Sequence, residues 1–353
     1  MSAAGYGHCD TKEEPLKLDA LVFTASLKNF PDTARYLEEL GFDTLWTLET
    51  QHNPFFPLIL SAEHTRTMKL GTSIAVAFPR SPMVLAHIAW DLQEFSGGRF
   101  ILGLGTQVRG HIERRFSVPW NSPGPRLREI ILALRAIWDC WQNGAPLNFQ
   151  GKFYSFTLMT PFFNPGPIRH PEIPIFVGGV NPYMCRLVGE LCQGMHIHPL
   201  HTVQFIREAI VPGIKEGAGK AGRDYREVSL SAAAFVATGK DKEAVEKAKE
   251  KVRAQIAFYS STRNYFPVLE MHGWGDTARA LQKKSIAGDW EGMSREISDE
   301  MLHEFAIVGA YPELAEKIQR KYDGVVDRLS LYDCLPAPDE EKEWRPIINA
   351  ING

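Results

Sequence analysis

Short apolar runs rich in β-branched and aromatic residues recur along the chain and predict strands. Eight such runs occur, at residues 18–23, 42–48, 70–78, 100–104, 173–177, 195–198, 228–236 and 328–332. Their apolar character is nearly continuous rather than alternating, which is typical of strands covered by helices on the outside.

Helical patterns fill the intervals between these runs. The clearest is one apolar face whose positions step by three and four, at Leu127, Ile130, Ile131, Leu134, Ile137, Trp138 and Trp141. Helix punctuation agrees with this reading, with prolines near predicted starts and glycines after predicted ends: Pro31, Pro82, Pro182, Pro312, Gly41 and Gly324. Alternating strands and helices predict a parallel sheet, and eight repeats favour the α/β fold of a (β/α)8 TIM barrel with insertions.

Two longer intervals interrupt this rhythm without marking a domain boundary. Residues 142–171 contain many prolines, glycines and aromatic side chains, which indicates an ordered insertion. Residues 258–304 are rich in Trp, Tyr and His and have a mostly helical pattern. We therefore expect a single TIM-barrel domain spanning residues 1–353.

Composition and charge narrow the class of partner. The formal net charge is -3 and the 39 lysines and arginines are scattered, so we expect a small-molecule substrate and no nucleic acid. Five cysteines without a CxxC pair predict neither a disulfide framework nor a zinc site. Residues 1–15 lack the order of a signal peptide and no 18-residue apolar run follows, so we expect a cytoplasmic protein that does not bind a membrane.

The candidate chemistry follows the ends of the predicted strands, because TIM-barrel active sites lie at the C-terminal ends of their strands. Polar and aromatic residues cluster in five such places, at residues 46–53, 77–80, 105–111, 178–181 and 196–201. We expect these segments to meet at one mouth.

The pair Gly178-Gly179 lies between a predicted strand and a predicted helix start. Backbone amides at such a turn can hold an anion such as a cofactor phosphate, although a tight turn alone would also require glycine. Gly103 and Gly105 also have two possible explanations. They can allow a flat ring to approach the backbone, or they can simply fit within the narrow barrel interior.

His196 and His198 form an HxH motif at a strand end, with His201 nearby and Asp333 after the last strand. Side chains at i and i+2 of a strand share a face, so a metal-dependent hydrolase is one alternative. Barrel hydrolases of this kind usually carry the motif on the first strand, where this chain has no histidine. We therefore assign His198 to hydrogen bonding or cofactor contact and predict no metal.

Glu49 and His52 form a candidate acid, base or orienting pair; a buried carboxylate satisfied by backbone amides is the alternative for Glu49. A basic group follows the fourth predicted strand, at Arg109, His111, Arg114 and Arg115. It can neutralise an anionic cofactor tail or form an ordinary solvated helix face.

Several segments resemble the luciferase-like monooxygenase superfamily. They are residues 70–74 (LGTSI), 80–82 (RSP) and 96–105 (SGGRFILGLG), with further similarity at 126–138, 151–154, 165–167, 178–179 and 307–309. Residues 49–55, 105–107 and 257–262 resemble a subgroup that uses the deazaflavin coenzyme F420 rather than FMN.

The resemblance implies roles for particular positions. Ser73-Ile74 matches the site of a non-prolyl cis peptide that supports the back of the cofactor ring. Cofactor-phosphate amides are implied at Gly178, Gly179 and Val180, and contacts to the ring and side arm at Thr106, Gln107 and Val108. Two departures concern the substrate. Thr50 follows Glu49 where many relatives have a histidine. The sixth predicted strand supplies histidines where relatives that bind sugar phosphates have lysines. Both differences argue against a sugar phosphate as the substrate.

The resemblance therefore implies hydride transfer between coenzyme F420 and a small organic substrate. We expect Trp46 and Phe78 to form an apolar wall over the ring, and Glu49, His52 or His111 to transfer the proton, with Tyr259 as a further candidate. The alternatives are an FMN-dependent monooxygenase of the same fold, the metal-dependent hydrolase, and a cofactor-binding protein without turnover. Relatives are often dimers, so we expect a homodimer.

Overall fold

The computed structural model describes residues 15–23 and 26–353, so Cys9 and most of the N-terminal stretch 1–15 lie outside the described residues. In chain order the strands are β1 (Lys17–Val22), β2 (Thr44–Thr47), β3 (Lys69–Thr72), β4 (Ala75–Val76), β5 (Phe100–Gly105), β6 (Phe149–Gln150), β7 (Ser155–Phe156), β8 (Ile175–Gly178), β9 (Gly194–Ile197), β10 (Ser229–Ala237), β11 (Ala306–Val308) and β12 (Arg328–Tyr332).

Eight of these strands form a closed parallel barrel. The hydrogen-bonded order is β1, β2, β3, β5, β8, β9, β10 and β12, and β12 pairs with β1 through Lys17 and Arg328. This confirms the TIM barrel. Strand β4 extends β3 beyond a break and pairs with β5, while β6 and β7 form an antiparallel hairpin in the predicted insertion.

All eight predicted barrel strands are confirmed, with ends that move by a few residues. The predicted run 70–78 is split, because Ser73 and Ile74 leave the sheet between β3 and β4. The sequence did not predict β11, a short strand that pairs with the end of β10.

Helices surround the barrel. They are α1 (Phe30–Leu40), α2 (Phe56–His64), α3 (Pro82–Phe95), α4 (Arg109–Arg114), α5 (Pro123–Asn143), α6 (Pro182–Leu191), α7 (Val203–Phe205), α8 (Val211–Lys220), α9 (Lys242–Ser260), α10 (Phe266–Met271), α11 (Gly275–Ala287), α12 (Trp290–Ser294), α13 (Asp299–Phe305), α14 (Tyr311–Tyr322) and α15 (Glu341–Asn352). A π-helical segment, Ile206–Ile210, joins α7 to α8. None of the helices in the described ranges is long and apolar enough to cross a membrane.

The helix boundaries follow the predicted punctuation. Pro82 and Pro182 are the first residues of α3 and α6, where a missing amide hydrogen costs nothing. Gly41 ends α1 in a left-handed conformation, with φ at 97°. The predicted apolar face 127–141 lies within α5 and is buried against the barrel.

Alternate strand residues fill the barrel interior in layers. Near the N-terminal end, the Arg328 guanidinium forms two hydrogen bonds of 2.7 and 2.8 Å to Asp19 and also contacts Asp43. Above this ion pair lie Leu21, Trp46, Ile101 and Phe176, which form a buried apolar cluster. The C-terminal end of the barrel above them is the mouth.

Candidate active site

Three segments that are distant in sequence lie side by side at the barrel mouth. The break between β3 and β4 contains Ser73 and Ile74, and β4 pairs with β5 through Val76 and Gly105. Gly105 in turn pairs with Gly178 at the end of β8. The stretches around residues 73, 107 and 179 therefore share one rim, as the mouth prediction requires.

The Ser73–Ile74 peptide bond is cis, which confirms the expectation drawn from the resemblance. The Ile74 side chain lies over the ends of two neighbouring strands. A Cβ atom added to Gly105 would lie 2.7 Å from Ile74 Cδ1, and one added to Gly178 would lie 3.1 Å from Ile74 Cγ2. The two glycines therefore let Ile74 rest on the backbone as a half-buried apolar platform.

Gly103 allows the break in β3 to approach β5. A Cβ atom on Gly103 would lie 1.6 Å from the Thr72 carbonyl oxygen, so no other residue fits there. The Thr72 hydroxyl donates to the Gly103 carbonyl at 2.6 Å and accepts from the Gly103 amide at 3.0 Å. This contact fixes the backbone directly before the cis bond.

Glu49 supports the other side of the same break. Its carboxylate accepts hydrogen bonds from the Val76 amide at 2.7 Å and from both terminal nitrogens of Arg80, at 2.7 and 2.9 Å. The Glu49 backbone amide donates to the Ile74 carbonyl at 3.3 Å. Since both carboxylate oxygens are occupied, the geometry favours a positioning role for Glu49 over proton transfer.

The glycine turn after β8 leads into α6. Asn181 caps this helix by accepting from the Met184 amide at 3.0 Å, so the helix begins directly beside Gly178, Gly179 and Val180. A Cβ atom on Gly179 would lie 2.6 Å from Met184 Cβ. Close packing against Met184 is therefore enough to explain why residue 179 is glycine. A phosphate-binding role for the turn would be an additional reason.

The segment after β5 is held by its own side chains. Gln107 has a positive φ of 58°, and its side-chain oxygen accepts from the Val108 amide at 2.9 Å. The Thr106 hydroxyl donates to the Gln107 carbonyl at 3.1 Å. All three residues are partly exposed at the rim, beside Gly105.

Three other predicted site residues are placed differently. His52 and His111 are exposed on the outer rim. Trp46 has no exposed surface: its indole nitrogen donates to Asp19 at 2.8 Å, and its ring fills the space above Gly71. Trp46 therefore packs below the mouth rather than forming a wall over it.

Aromatic side chains line the opposite half of the mouth. The hydroxyl groups of Tyr259, on α9, and Tyr332, at the end of β12, form a hydrogen bond. The His198 ring stacks on Tyr265 at 4.3 Å between centroids and meets the Tyr259 ring edge-on at 4.6 Å. Phe23, after β1, packs edge-on against Tyr332 at 5.5 Å.

The three histidines of the predicted HxH region are held neutral. Burial lowers the pKa of His196 and of His198 to about 3, and that of His201 to about 4. The His201 ring bridges the His198 carbonyl at 2.8 Å and the Tyr322 hydroxyl at 3.0 Å. Within residues 15–23 and 26–353, no group of three His, Cys, Asp or Glu side chains is arranged to hold a metal ion.

Sequence reasoning missed Arg80 as the partner of Glu49, and Tyr265 and Tyr332 as parts of the mouth. Tyr332 is the last residue of a correctly predicted strand, so the rule that selected the other strand ends applies to it equally. Tyr265 lies in the helical excursion, where no pattern in the sequence indicates that it folds back over β9.

A parallel barrel with a flat apolar platform, a glycine turn at a helix start and an aromatic wall defines a class of cofactor-binding TIM barrels. The chain belongs to the luciferase-like monooxygenase family, whose model matches residues 7–328. The relatives include an uncharacterised protein of Mycobacterium tuberculosis, 46% identical over 314 residues, covering 89% of this chain and 92% of the relative. A 5,10-methylenetetrahydromethanopterin reductase of Archaeoglobus fulgidus is 30% identical over 321 residues, with coverage of 89% and 92%.

Solved structures share the fold. The coenzyme F420 dependent tetrahydromethanopterin reductase of Methanopyrus kandleri superposes with a TM-score of 0.77 at 22% identity, covering 96% of this chain and 98% of that chain. The FMN complex of a type II Baeyer-Villiger monooxygenase from Pseudomonas putida has a TM-score of 0.65 at 16% identity and covers 96% of each chain. Reductases and monooxygenases are all oxidoreductases, and so is this protein.

Proposed function

We propose that this protein is a coenzyme F420-dependent oxidoreductase that transfers a hydride between the deazaflavin and a small organic substrate. The main support is the Ile74 platform beside the glycine turn at α6, because the two together suit a planar ring with a phosphorylated side arm. The Archaeoglobus relative is a 5,10-methylenetetrahydromethanopterin reductase and the solved tetrahydromethanopterin reductase of Methanopyrus kandleri is coenzyme F420 dependent, and together they favour the deazaflavin over FMN.

The residues present fit such a cofactor. Gly105 and Gly178 let one face of Ile74 pack on the backbone of β5 and β8, so a ring can lie against the opposite, half-buried face. The amides of Gly179 and Val180, at the positive end of α6, suit the phosphate of the side arm. The deazaflavin, when bound, supplies a hydride-accepting or hydride-donating ring carbon. The chain contributes the ring's seat, the exclusion of water and the movement of one proton.

The rim residues have supporting roles in this proposal. Thr106, Gln107 and Val108 contact the ring edge and the side arm, and the Glu49–Arg80 pair holds the cis peptide in place. His52 and His111, exposed at the entrance, meet the anionic tail of the cofactor or the incoming substrate. His198 faces the ring from the opposite wall.

Cofactor titration tests the proposal. We expect coenzyme F420 to bind the protein and quench its tryptophan fluorescence at lower concentration than FMN. Replacing Ile74 by Ala should weaken F420 binding about tenfold, since the variant removes the apolar contact beneath the ring. Ile286→Ala is the matched control, because Ile286 is 83% exposed on α11. Tighter binding of FMN than of F420 would refute the proposal.

An FMN-dependent monooxygenase is the second candidate. The Pseudomonas monooxygenase binds FMN on the same fold, and the platform described above suits either ring. Oxygen consumption by the protein loaded with reduced FMN, with the oxygen recovered in a product, would establish this alternative.

We further propose that the enzyme works in the cytoplasm as a homodimer. The described cysteines Cys140, Cys185, Cys192 and Cys334 are all free, which suits a reducing compartment. Leu158, Phe162 and Phe163 of the insertion are 77, 89 and 69% exposed, and such a patch suits burial against a second copy. Light scattering of the purified protein tests the dimer: we expect the mass of two chains for the wild type and a lower mass for Phe162→Ser.

A further inference from the structure

The aromatic half of the mouth lies across the barrel from the Ile74 platform. In the closed order of eight strands, β12 is four steps from β5, and β10 is four steps from β3. Tyr332 at the end of β12 therefore faces Gly105 at the end of β5. A ring lying on Ile74 would present its free face to Tyr332 and to the Tyr259 hydroxyl bonded to it.

The two hydroxyls together have one hydrogen to spare. Each phenol has one hydrogen, and the bond between them uses only one of the two. The second hydrogen is available to an acceptor in the mouth. Both side chains are partly exposed, and Tyr332 packs against the apolar cluster of the barrel interior, directly below the mouth.

Among the described residues, the charged side chains next to the two phenols are paired, and the histidine beside them is neutral. Lys251 forms an ion pair of 2.8 Å with Asp333, and the Gln255 amide donates to the same carboxylate at 3.2 Å. The Nδ1 atom of His198 accepts from the Leu200 amide at 3.1 Å, so the proton of the neutral ring is on Nε2. Aromatic walls with neutral hydrogen-bond donors suit a substrate that is itself neutral and apolar apart from one acceptor.

We propose that Tyr259 and Tyr332 bind the oxygen of a neutral carbonyl substrate and supply the proton during its reduction. This inference rests on the proposed F420-dependent function. With the reduced coenzyme bound, a C–H bond of its ring would break, the coenzyme would be oxidised by two electrons, and the carbonyl carbon would gain the hydride. The electron pair of the C–O π bond would move to oxygen, which would take a proton from a Tyr259 or Tyr332 hydroxyl. A C–H bond and an O–H bond form, the substrate becomes an alcohol, and the phenolate recovers its proton from water.

The protonation states of the mouth residues favour proton donation from the phenols to the substrate. Burial raises the pKa of both Tyr259 and Tyr332, so the phenols keep their protons at neutral pH and act as donors rather than as bases. Burial lowers the pKa of His198 to about 3, so the neighbouring imidazole adds no charge that would attract an anion.

Three probes of similar size test the inference on the F420-loaded enzyme: acetophenone, ethylbenzene and benzoate. We expect calorimetry to show that acetophenone binds about fivefold more tightly than ethylbenzene, because only the ketone accepts a hydrogen bond, and that benzoate binds most weakly. Tyr332→Phe and Tyr259→Phe should each reduce the preference for the ketone and slow reoxidation of the reduced coenzyme by acetophenone. Tyr225→Phe, at a position between α8 and β10, is the matched control.

The outcomes separate the two proposals. Unchanged F420 affinity in both tyrosine variants, with a lost preference for the ketone, supports the inference. Normal F420 binding without any preference for acetophenone, or with a preference for benzoate, overturns the inference and leaves the proposed function intact. Failure of the wild-type protein to bind F420 overturns both. If a variant fails to fold, ultraviolet difference spectra of the wild-type holoenzyme replace it. A tyrosine signal caused by acetophenone but not by ethylbenzene supports the inference, and equal spectra overturn it.

Discussion

Glu49 and Arg80 form a two-pronged ion pair, with Oε2–Nη1 at 2.7 Å and Oε1–Nη2 at 2.9 Å, beside the break in the third barrel strand. Their side chains are 7 and 14% exposed, so the pair is largely removed from water. The pair joins the end of β2 to the loop after β4 and therefore fixes the backbone that carries Ile74. Glu49, selected from the sequence as a candidate acid, base or orienting group, is in the structure a largely buried carboxylate bonded to the Val76 amide and to Arg80.

Glu49→Gln should therefore destabilise the protein and weaken cofactor binding. The variant leaves the Arg80 cation largely buried without its partner, a change that costs about 3 kcal/mol. Urea denaturation measures the free energy of unfolding, and fluorescence titration measures F420 affinity. Glu113→Gln is the control: its pair with Arg109 is exposed, and such pairs contribute about 0.5 kcal/mol. Equal losses in the two variants would contradict the assigned role.

Gly105→Ala should weaken F420 binding with little loss of stability. The added methyl group would lie 2.7 Å from the end of the Ile74 side chain, which must turn away and thereby tilt the platform. Ile74→Ala combined with Gly105→Ala should bind F420 no more weakly than Ile74→Ala alone, because alanine lacks both the Cγ1 and the Cδ1 atoms that the methyl group would meet. Gly219→Ala, in open space within α8, should change neither F420 affinity nor folding cooperativity. Weaker F420 binding by the double variant than by Ile74→Ala alone would contradict the view that the Gly105 methyl group acts through Ile74.

How well the sequence predicted a feature depends on how far apart in the sequence its interacting residues lie. Barrel strands such as β5 and β12 are continuous apolar runs, so local composition located them within a few residues. The Glu49–Arg80 pair joins positions 31 residues apart, and no local pattern specifies which charges meet. The cis bond at Ser73–Ile74 came from family resemblance, since nothing in the two residue types requires it.

The buried histidines illustrate the same limit. His196 lies in β9 among side chains of the barrel interior, whereas His198 follows Ile197, the last residue of that strand, and contacts Tyr259 and Tyr265. The spacing does not reveal that Trp46 and Phe176 surround the His196 ring, with centroids at 4.7 and 5.3 Å. Those partners come from β2 and β8 and exist only once the barrel has closed.

Chelation should leave the protein unchanged. His196 lies among aromatic rings and His198 accepts from the Leu200 amide, so the two imidazoles are not arranged as a pair of ligands. We expect the same melting temperature and F420 affinity after dialysis against EDTA, and no stabilisation by added zinc. Zinc-dependent stabilisation that disappears in His198→Ala would instead favour the metal-dependent hydrolase.

Acid should destabilise the protein more steeply than its carboxylates alone would cause. Burial lowers the pKa of His196 and His198 to about 3 and that of His201 to about 4, from an ordinary value of 6.5. The unfolded chain therefore binds protons at these three sites before the folded protein does. Stability is fully present above about pH 6.5 and falls as the pH decreases toward 4, by about 1.4 kcal/mol per pH unit for each histidine. His196→Leu should remove about one third of this slope, because leucine does not titrate and only two of the three imidazoles with lowered pKa values remain. Urea denaturation of the wild type and of His196→Leu between pH 7 and 5 measures the two slopes. A slope that is the same in wild type and His196→Leu would mean that His196 binds a proton as readily in the folded state as in the unfolded state.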